Sequence, residues 1–375
     1  MDNTEAAPPP SANVSHRLVS LDVLRGFDMF WILGMEEVGA AIGKASDAAW
    51  ARGVATQLDH QPWAGFHCLD LIFPLFVFIS GVSLVFSADK NLAVQGRSGT
   101  VRKLVWRAVI LYVLGLITYG FFSEGVDHVR WLGVLQRIAI CGLAGGLAYL
   151  YMGRTGRVIL TLVLLIGYWA LMTFVPVPGI GAGKFAEGQN LANWIDAHYL
   201  AGRKWDITHD PEGLLSTLPA IATALLGIFT GEWLKHGPPE IWKKGAALIL
   251  GGSALAFMGW AWHEHFPVIK KLWTSSFVLV TGGYSMALMG LFYIMVDGFR
   301  WRKAFTPFIW IGMNAITLYL AHHFIKFGEI SKTLLGGTFA SQFGAWENVV
   351  LALGVVGLSL LLAWFLYSRK VFLKV

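Results

Sequence analysis

Ionisable and amide side chains interrupt apolar sequence in two groups, and each group suits a kind of chemistry. Asp22, Arg25 and Asp28 recur at a spacing of three, which puts them on one helix face where either acid can pair with the arginine. A charge at mid-membrane costs about 2.5–3.5 kcal/mol on insertion scales, so it needs a partner, an aqueous cavity or a function. Two uses fit: a buried triad that pins the helix, or an anion site to which Arg25 contributes about 10 Å below the cytoplasmic boundary. The second group comprises Glu36 and Glu37, Asp59 and His60, His67 and Asp70, Gln136 and Arg137, and Asn314 with His322 and His323. These residues fall at matching depth on four apolar segments, which favours a shared hydrated cavity over separate repairs. A metal site is an alternative, but no cluster has tight ligand spacing, and no metal is expected.

The elements that must position these groups are membrane helices. Of 375 residues 55% are hydrophobic and only 14% charged, which excludes soluble, disordered and disulfide-stapled classes. The two cysteines, Cys68 and Cys141, both lie in apolar sequence. The net charge of +6 could suit nucleic acid, but in a membrane chain the distribution of basic residues matters more than their sum, and no nucleic-acid partner is expected. The expected fold is an all-α integral membrane protein of about ten transmembrane helices. They span roughly Leu18–Gly43, Gly65–Ala88, Val101–Phe122, Trp131–Met152, Val158–Val175, Pro211–Leu234, Ile241–Trp262, Trp273–Val296, Ala304–Phe327 and Trp346–Tyr367.

With the N-terminus inside, seventeen of the 29 Lys and Arg fall on the cytoplasmic side and ten outside, so both termini are expected in the cytoplasm. Residues 1–17, acidic and Pro-rich, read as a disordered cytoplasmic tail, and 18–375 as one transmembrane domain. Two outer connections are long, Lys44 to Ala64 and Pro176 to Asp210. The GIGAGK run from Gly179 lacks a preceding strand and a hydroxyl residue after the lysine, and reads as a flexible loop. His263 and His265, two apart, read as interfacial. Asp210, Pro211 and Glu212 read as a helix start with an N-cap carboxylate.

Five stretches carry a family resemblance: LDVLRGFDMFWI, HQPWAGFHCLDLIFPLFVFISGVSL, GVLQRIA, DPEGLLSTLPAIATALLGIFTGEWL and GMNAITLYLAHH, in order along most of the chain. Together they resemble the heparan-alpha-glucosaminide N-acetyltransferase family of transmembrane acyltransferases and its bacterial relatives. The resemblance implies an enzyme of a bacterial inner membrane that moves an acetyl or other acyl group from cytoplasmic acyl-CoA to a sugar on the far side. The family's catalytic histidine precedes a Trp by three residues and an Asp by ten, and His60, Trp63 and Asp70 meet both spacings. An Asn often found near the outer end of the first span is Glu36 here. Eukaryotic members carry a further N-terminal lumenal domain and span, so a bacterial-type core is expected.

Acyl transfer from a thioester needs a base for the acceptor and a donor for the developing oxyanion. His60 is the candidate base or acyl carrier, with Asp70 holding its tautomer and Glu36 near the acceptor. Asn314, Gln136 or Arg137 would supply the oxyanion donor, and Arg25 would draw the nucleotide of acetyl-CoA. The expected partners are acyl-CoA, an amino sugar, glycan or lipid-linked sugar, and membrane lipid, with assembly as a homodimer left open. A secondary transporter with a polar mid-membrane site is the competing reading.

Overall fold

The computed structural model describes residues 18–125 and 128–373, so the predicted tail lies outside the described residues. The described residues form sixteen α-helices in order: α1 Val19–Ile32, α2 Met35–Ala45, α3 Ala49–Gln57, α4 Ile72–Thr118, α5 Phe121–Glu124, α6 Val134–Tyr151, α7 Arg154–Phe174, α8 Leu191–Tyr199, α9 Thr217–His236, α10 Ile241–Trp262, α11 Ser275–Phe292, α12 Thr306–Met313, α13 Ala315–Phe324, α14 Phe327–Leu335, α15 Thr338–Ser341 and α16 Glu347–Ser368. Extended pairing among the described residues is confined to isolated bridges. Among the described residues seven helical stretches are long and apolar enough to cross a membrane, one of them Cys68–Thr118.

That stretch is not one rod. Gly96 takes a left-handed backbone (φ 67°), and Lys103 Nζ donates to Asn91 Oδ1 at 2.8 Å. Twelve residues of straight helix would separate the two by about 18 Å, so the chain reverses at Gly96 and α4 contains two opposed limbs. The expected second and third segments are these limbs.

The first and ninth expected segments are each broken. Gly34, at φ 118°, ends α1 and starts α2 in a conformation only glycine adopts cheaply. Asn314 interrupts the ninth between α12 and α13, its N–H bonded to Ile311 O at 2.9 Å. Non-helical backbone at this depth is tolerated where it is buried in protein or lines a cavity, and Asn314 lines one. The helix expected from Pro211 begins only at Thr217, and Ser216 precedes it. Asp210 is therefore not its N-cap; an ion pair with Arg130 has drawn the carboxylate elsewhere.

Close helix approach relies on small residues, as expected where lipid supplies no hydrophobic drive between helices. The Cα of Gly227 in α9 faces the carbonyl of Phe78 in α4, and that of Gly81 faces the carbonyl of Ala224, with no room for a Cβ. Gly26 in α1 meets the Phe308 carbonyl of α12 in the same way. Gly227→Val should therefore overpack the α4/α9 contact by about 1–3 kcal/mol and lower the unfolding temperature in detergent. Gly142→Ala, where nothing lies within 4 Å of the added methyl, should leave it unchanged or raise it slightly. Equal thermal stability of the two variants would rule out this packing.

Candidate functional site

Asp70 sits in the 3₁₀ turn Cys68–Leu71 that opens onto α4, and it is fully buried. Four donors converge on it. Its Oδ2 accepts from the backbone N–H of His67 at 2.9 Å and of Gln61 at 3.2 Å. Its Oδ1 lies 3.0 Å from His60 Nδ1 and 3.3 Å from Lys270 Nζ. An ionised carboxylate only accepts, so the His60 tautomer that satisfies it carries hydrogen on Nδ1 and leaves Nε2 as the acceptor nitrogen. Pro62 keeps the His60 segment non-helical, so the imidazole reaches back over the turn.

Lys270 completes this cluster, with Nζ 2.8 Å from His60 Nδ1 and 3.2 Å from Nε2. In the sequence it is one of the ten outer basic residues, 210 residues from His60. Local architecture explains the meeting: Ala64 bridges Ile269, and the Gly65 N–H donates to Val268 O at 2.9 Å. Burial pushes the Lys270 ammonium below its ordinary range, with Asp70 pulling in the other direction.

His60 and Lys270 line a cavity of about 750 Å³ that also exposes Glu36, Glu37, Asn314 and His323. From Ile72 to Ser87 the cavity follows α4 for about 22 Å, at 1.5 Å per residue. Ser80, Ser83 and Ser87 form a hydroxyl stripe along it, three and four residues apart on one face. At the far end stand Arg25 and Arg107. Arg25 bonds Ser83 Oγ at 2.8 Å and pairs with Asp22 at 3.5 Å. Arg107, close enough to repel Arg25, keeps its buried Nε without a hydrogen-bond partner. Asp28 does not share the expected triad: both its oxygens are buried without a hydrogen-bond partner.

The other expected residues are distributed unevenly. Glu36 and Glu37 are exposed in the first turn of α2 at the His60 end. Asn314 Nδ2 donates to Trp310 O at 3.1 Å, and its Oδ1 is buried without a partner. Gln136 is buried against Gly115, off the cavity lining. Arg137 also lies off the lining: it donates to Ser216 Oγ at 2.6 Å, stacks on Trp273 and holds the start of α9. His67 bonds Asp59 O, while His322 bonds Ser359 Oγ and stacks on Phe327. His263 accepts from the Val268 N–H at 3.1 Å and braces the Lys270 loop.

A buried ionic clamp closes one wall. Arg130 grips Asp210 through two bonds, of 2.7 and 2.6 Å, and also pairs with Glu212. It stacks on Tyr119 and Trp205, both of which line the cavity. Burial works to lower the Arg130 pKa, yet its acidic partners hold it above the ordinary arginine range; the same bonds hold Asp210 below the carboxylate range. Burial pushes Glu212 up. Nearby, Glu187, Asp206 and His209 place ligand atoms within 4.8 Å of one another, a geometry open to a metal ion. Lys271 Nζ already lies 3.3 Å from Glu187 and 3.0 Å from Asp206, which pairs both acids with a cation.

This cavity, with a histidine–carboxylate pair at one end and arginines at the other, lies largely within a recognisable stretch. Residues 17–261 match the family model described as heparan-alpha-glucosaminide N-acetyltransferase, catalytic. The chain belongs to this family. It is 27% identical over 416 residues to heparan-alpha-glucosaminide N-acetyltransferase of Homo sapiens, covering 96% of this chain and 60% of the human protein. It is likewise 27% identical over 373 residues to the Mus musculus protein of that name, covering 84% of this chain and 56% of the relative. The chain thus spans less than two thirds of the length of these relatives. His60, Asp70, Arg25, Arg107 and Arg130 lie inside the stretch that matches the heparan-alpha-glucosaminide N-acetyltransferase catalytic model, whereas Lys270 and Asn314 lie beyond it.

The clamp yields a direct expectation. Arg130→Ala leaves two acids buried without their cation and should cost about 3–5 kcal/mol in thermal or chemical unfolding. Adding Asp210→Asn and Glu212→Gln should recover part of that loss. A single Arg130→Ala variant as stable as the parent would mean that the acids do not depend on it.

Proposed function

We propose that this chain is an integral-membrane acetyltransferase that transfers the acetyl group of acetyl-CoA to an amine or hydroxyl of a sugar. The observation that carries the reading is the single cavity joining His60 and Lys270 to the Arg25/Arg107 end. Two arginines gathered at one end of the cavity, Arg25 beside Asp22, suit the phosphates of a nucleotide thioester. The hydroxyl stripe of α4 offers hydrogen bonds to the amides of a pantetheine arm, which would thread the thioester towards His60. Glu36, Glu37 and Trp205 give the acceptor a polar and aromatic mouth.

In this reading His60 Nε2 is the general base. It takes the proton of the acceptor N–H or O–H as the new bond forms to the acetyl carbon. The C–S bond then breaks, and the imidazolium returns the proton to the thiolate leaving group. Asp70 keeps Nδ1 protonated throughout and stabilises the imidazolium. The chain would cross the membrane ten times, with the arginine end facing the cytoplasm and His60 facing outward. A bacterial cytoplasmic membrane is the setting proposed. Both the count and the sidedness rest on the reversal at Gly96, the broken segments at Gly34 and Asn314, and the bias of basic residues.

His60→Ala should reduce acetyl transfer to a sugar panel by at least about 100- to 10,000-fold while leaving thermal stability close to the parent, since the ring is half-exposed. Arg107→Ala should instead raise KM for acetyl-CoA about 10- to 100-fold, the range for a lost hydrogen bond to a charged group. Near-normal turnover by His60→Ala would end this mechanism. Sidedness has its own check: a thiol reagent should reach Gln95→Cys only from the cytoplasm and Gln189→Cys only from outside. Labelling of both from one face would refute ten passes.

A further inference from the structure

We propose that Lys270 is the oxyanion donor of this site: its ammonium binds the acetyl carbonyl oxygen as the acceptor attacks. This inference rests on the acetyl-transfer reading and adds a residue to it. The reaction requires a donor beside the base, and none of the expected ones is shown within hydrogen-bond distance of His60. Arg137 and Gln136 lie off the cavity lining, and Asn314 spends an amide hydrogen on Trp310. Lys270 Nζ stands 3.2 Å from His60 Nε2, so a carbonyl brought up beside that nitrogen comes within reach of the ammonium.

The loop that carries Lys270 is built to hold it. Trp273, fully buried, is forced to φ 51°, a left-handed backbone that a bulky residue adopts only at a cost. Bonds on every side maintain the strain. Trp273 N–H donates to Lys270 O at 2.9 Å, Trp273 Nε1 to Thr223 Oγ1 at 3.1 Å, and Tyr168 Oη to Leu272 O at 2.6 Å. Asp70 anchors the ammonium from the side away from the cavity.

In the step itself, the acceptor lone pair forms a bond to the acetyl carbon and the carbonyl π pair moves to oxygen. Lys270 donates a hydrogen bond to that oxygen without losing its proton, and His60 takes the acceptor's proton. Collapse re-forms the carbonyl, expels the thiolate, and releases Lys270. The charged and titratable groups around Nζ are His60, Asp70, Glu36 and Glu212, with Lys271 next in sequence. Only the ammonium can donate strongly, so activity should be lost as pH rises through the Lys270 pKa, which burial brings below the ordinary lysine range.

The test combines kinetics with a readout that needs no turnover. Lys270→Met should lower kcat about 100- to 1,000-fold with KM for acetyl-CoA unchanged. Lys270→Arg should keep part of kcat and move the alkaline limb of the pH profile upward. Independently, acetonyl-CoA, a non-transferable thioether analogue, should protect Lys270 of the parent protein from an amine-reactive reagent followed by peptide mass spectrometry. Should Lys270→Met not fold, the arginine variant's pH profile and the protection experiment decide. Wild-type kcat in Lys270→Met, an unmoved alkaline limb in Lys270→Arg, or analogue that raises the melting temperature while Lys270 labels at its free rate would each overturn the proposal. Analogue that does not bind at all would overturn the acetyl-CoA reading and this inference together.

Discussion

Asp70 is the interaction on which the site depends. A carboxylate with no exposed surface at the mouth of a membrane helix is stable only if its lone pairs are filled, and two backbone amides, one imidazole and one ammonium fill them. Those bonds fix more than the acid. They set the entry of α4, the turn of chain from His60 to His67, the tautomer of His60 and the distance between His60 and Lys270. Removing the carboxylate would release a base, a cation and a helix start together.

The same economy governs the rest of the interior. Lipid offers no partner to a polar group, and with exceptions such as Asp28 and Gln136 the chain gathers its polar groups around one cavity or pairs them away from it. Arg130 with Asp210 and Glu212 is the paired solution, and it carries Trp205 and Tyr119 to the cavity wall. The serine stripe and Arg25 are the cavity solution. Breaks at Gly34 and Asn314 belong to it too, since they open helix ends towards a polar space. Small residues at Gly81 and Gly227 let α9 pack closely against α4, the helix that carries the serine stripe.

Depth within the membrane is legible in a sequence, and azimuth around a helix much less so. The membrane class follows from composition, and the His60–Asp70 pair from the family spacing that the resemblance implies. Gln136 and Arg137 sit at a suitable depth, yet their side chains lie off the cavity, which hydropathy in a uniformly apolar helix does not encode. Asp28 likewise satisfies the three-residue rule and still has no partner, because Arg25 turns to Ser83 and Asp22. Lys270 and the Arg130 clamp were hidden by distance along the chain, 210 and 80 residues. Their one sequence signal is modest: basic residues on connections beside acids, in a protein with little charge to spare.

An account in which one cavity carries a thioester from a pair of arginines to a histidine is tested most directly by the position of the donor. A cryo-electron microscopy structure with acetonyl-CoA bound should show the nucleotide phosphates against Arg25 and Arg107, the pantetheine arm along Ser80, Ser83 and Ser87, and the carbonyl about 3–3.5 Å from His60 Nε2 and Lys270 Nζ. Phosphates seated at the His60 end, or an acetyl group held away from both side chains, would contradict it.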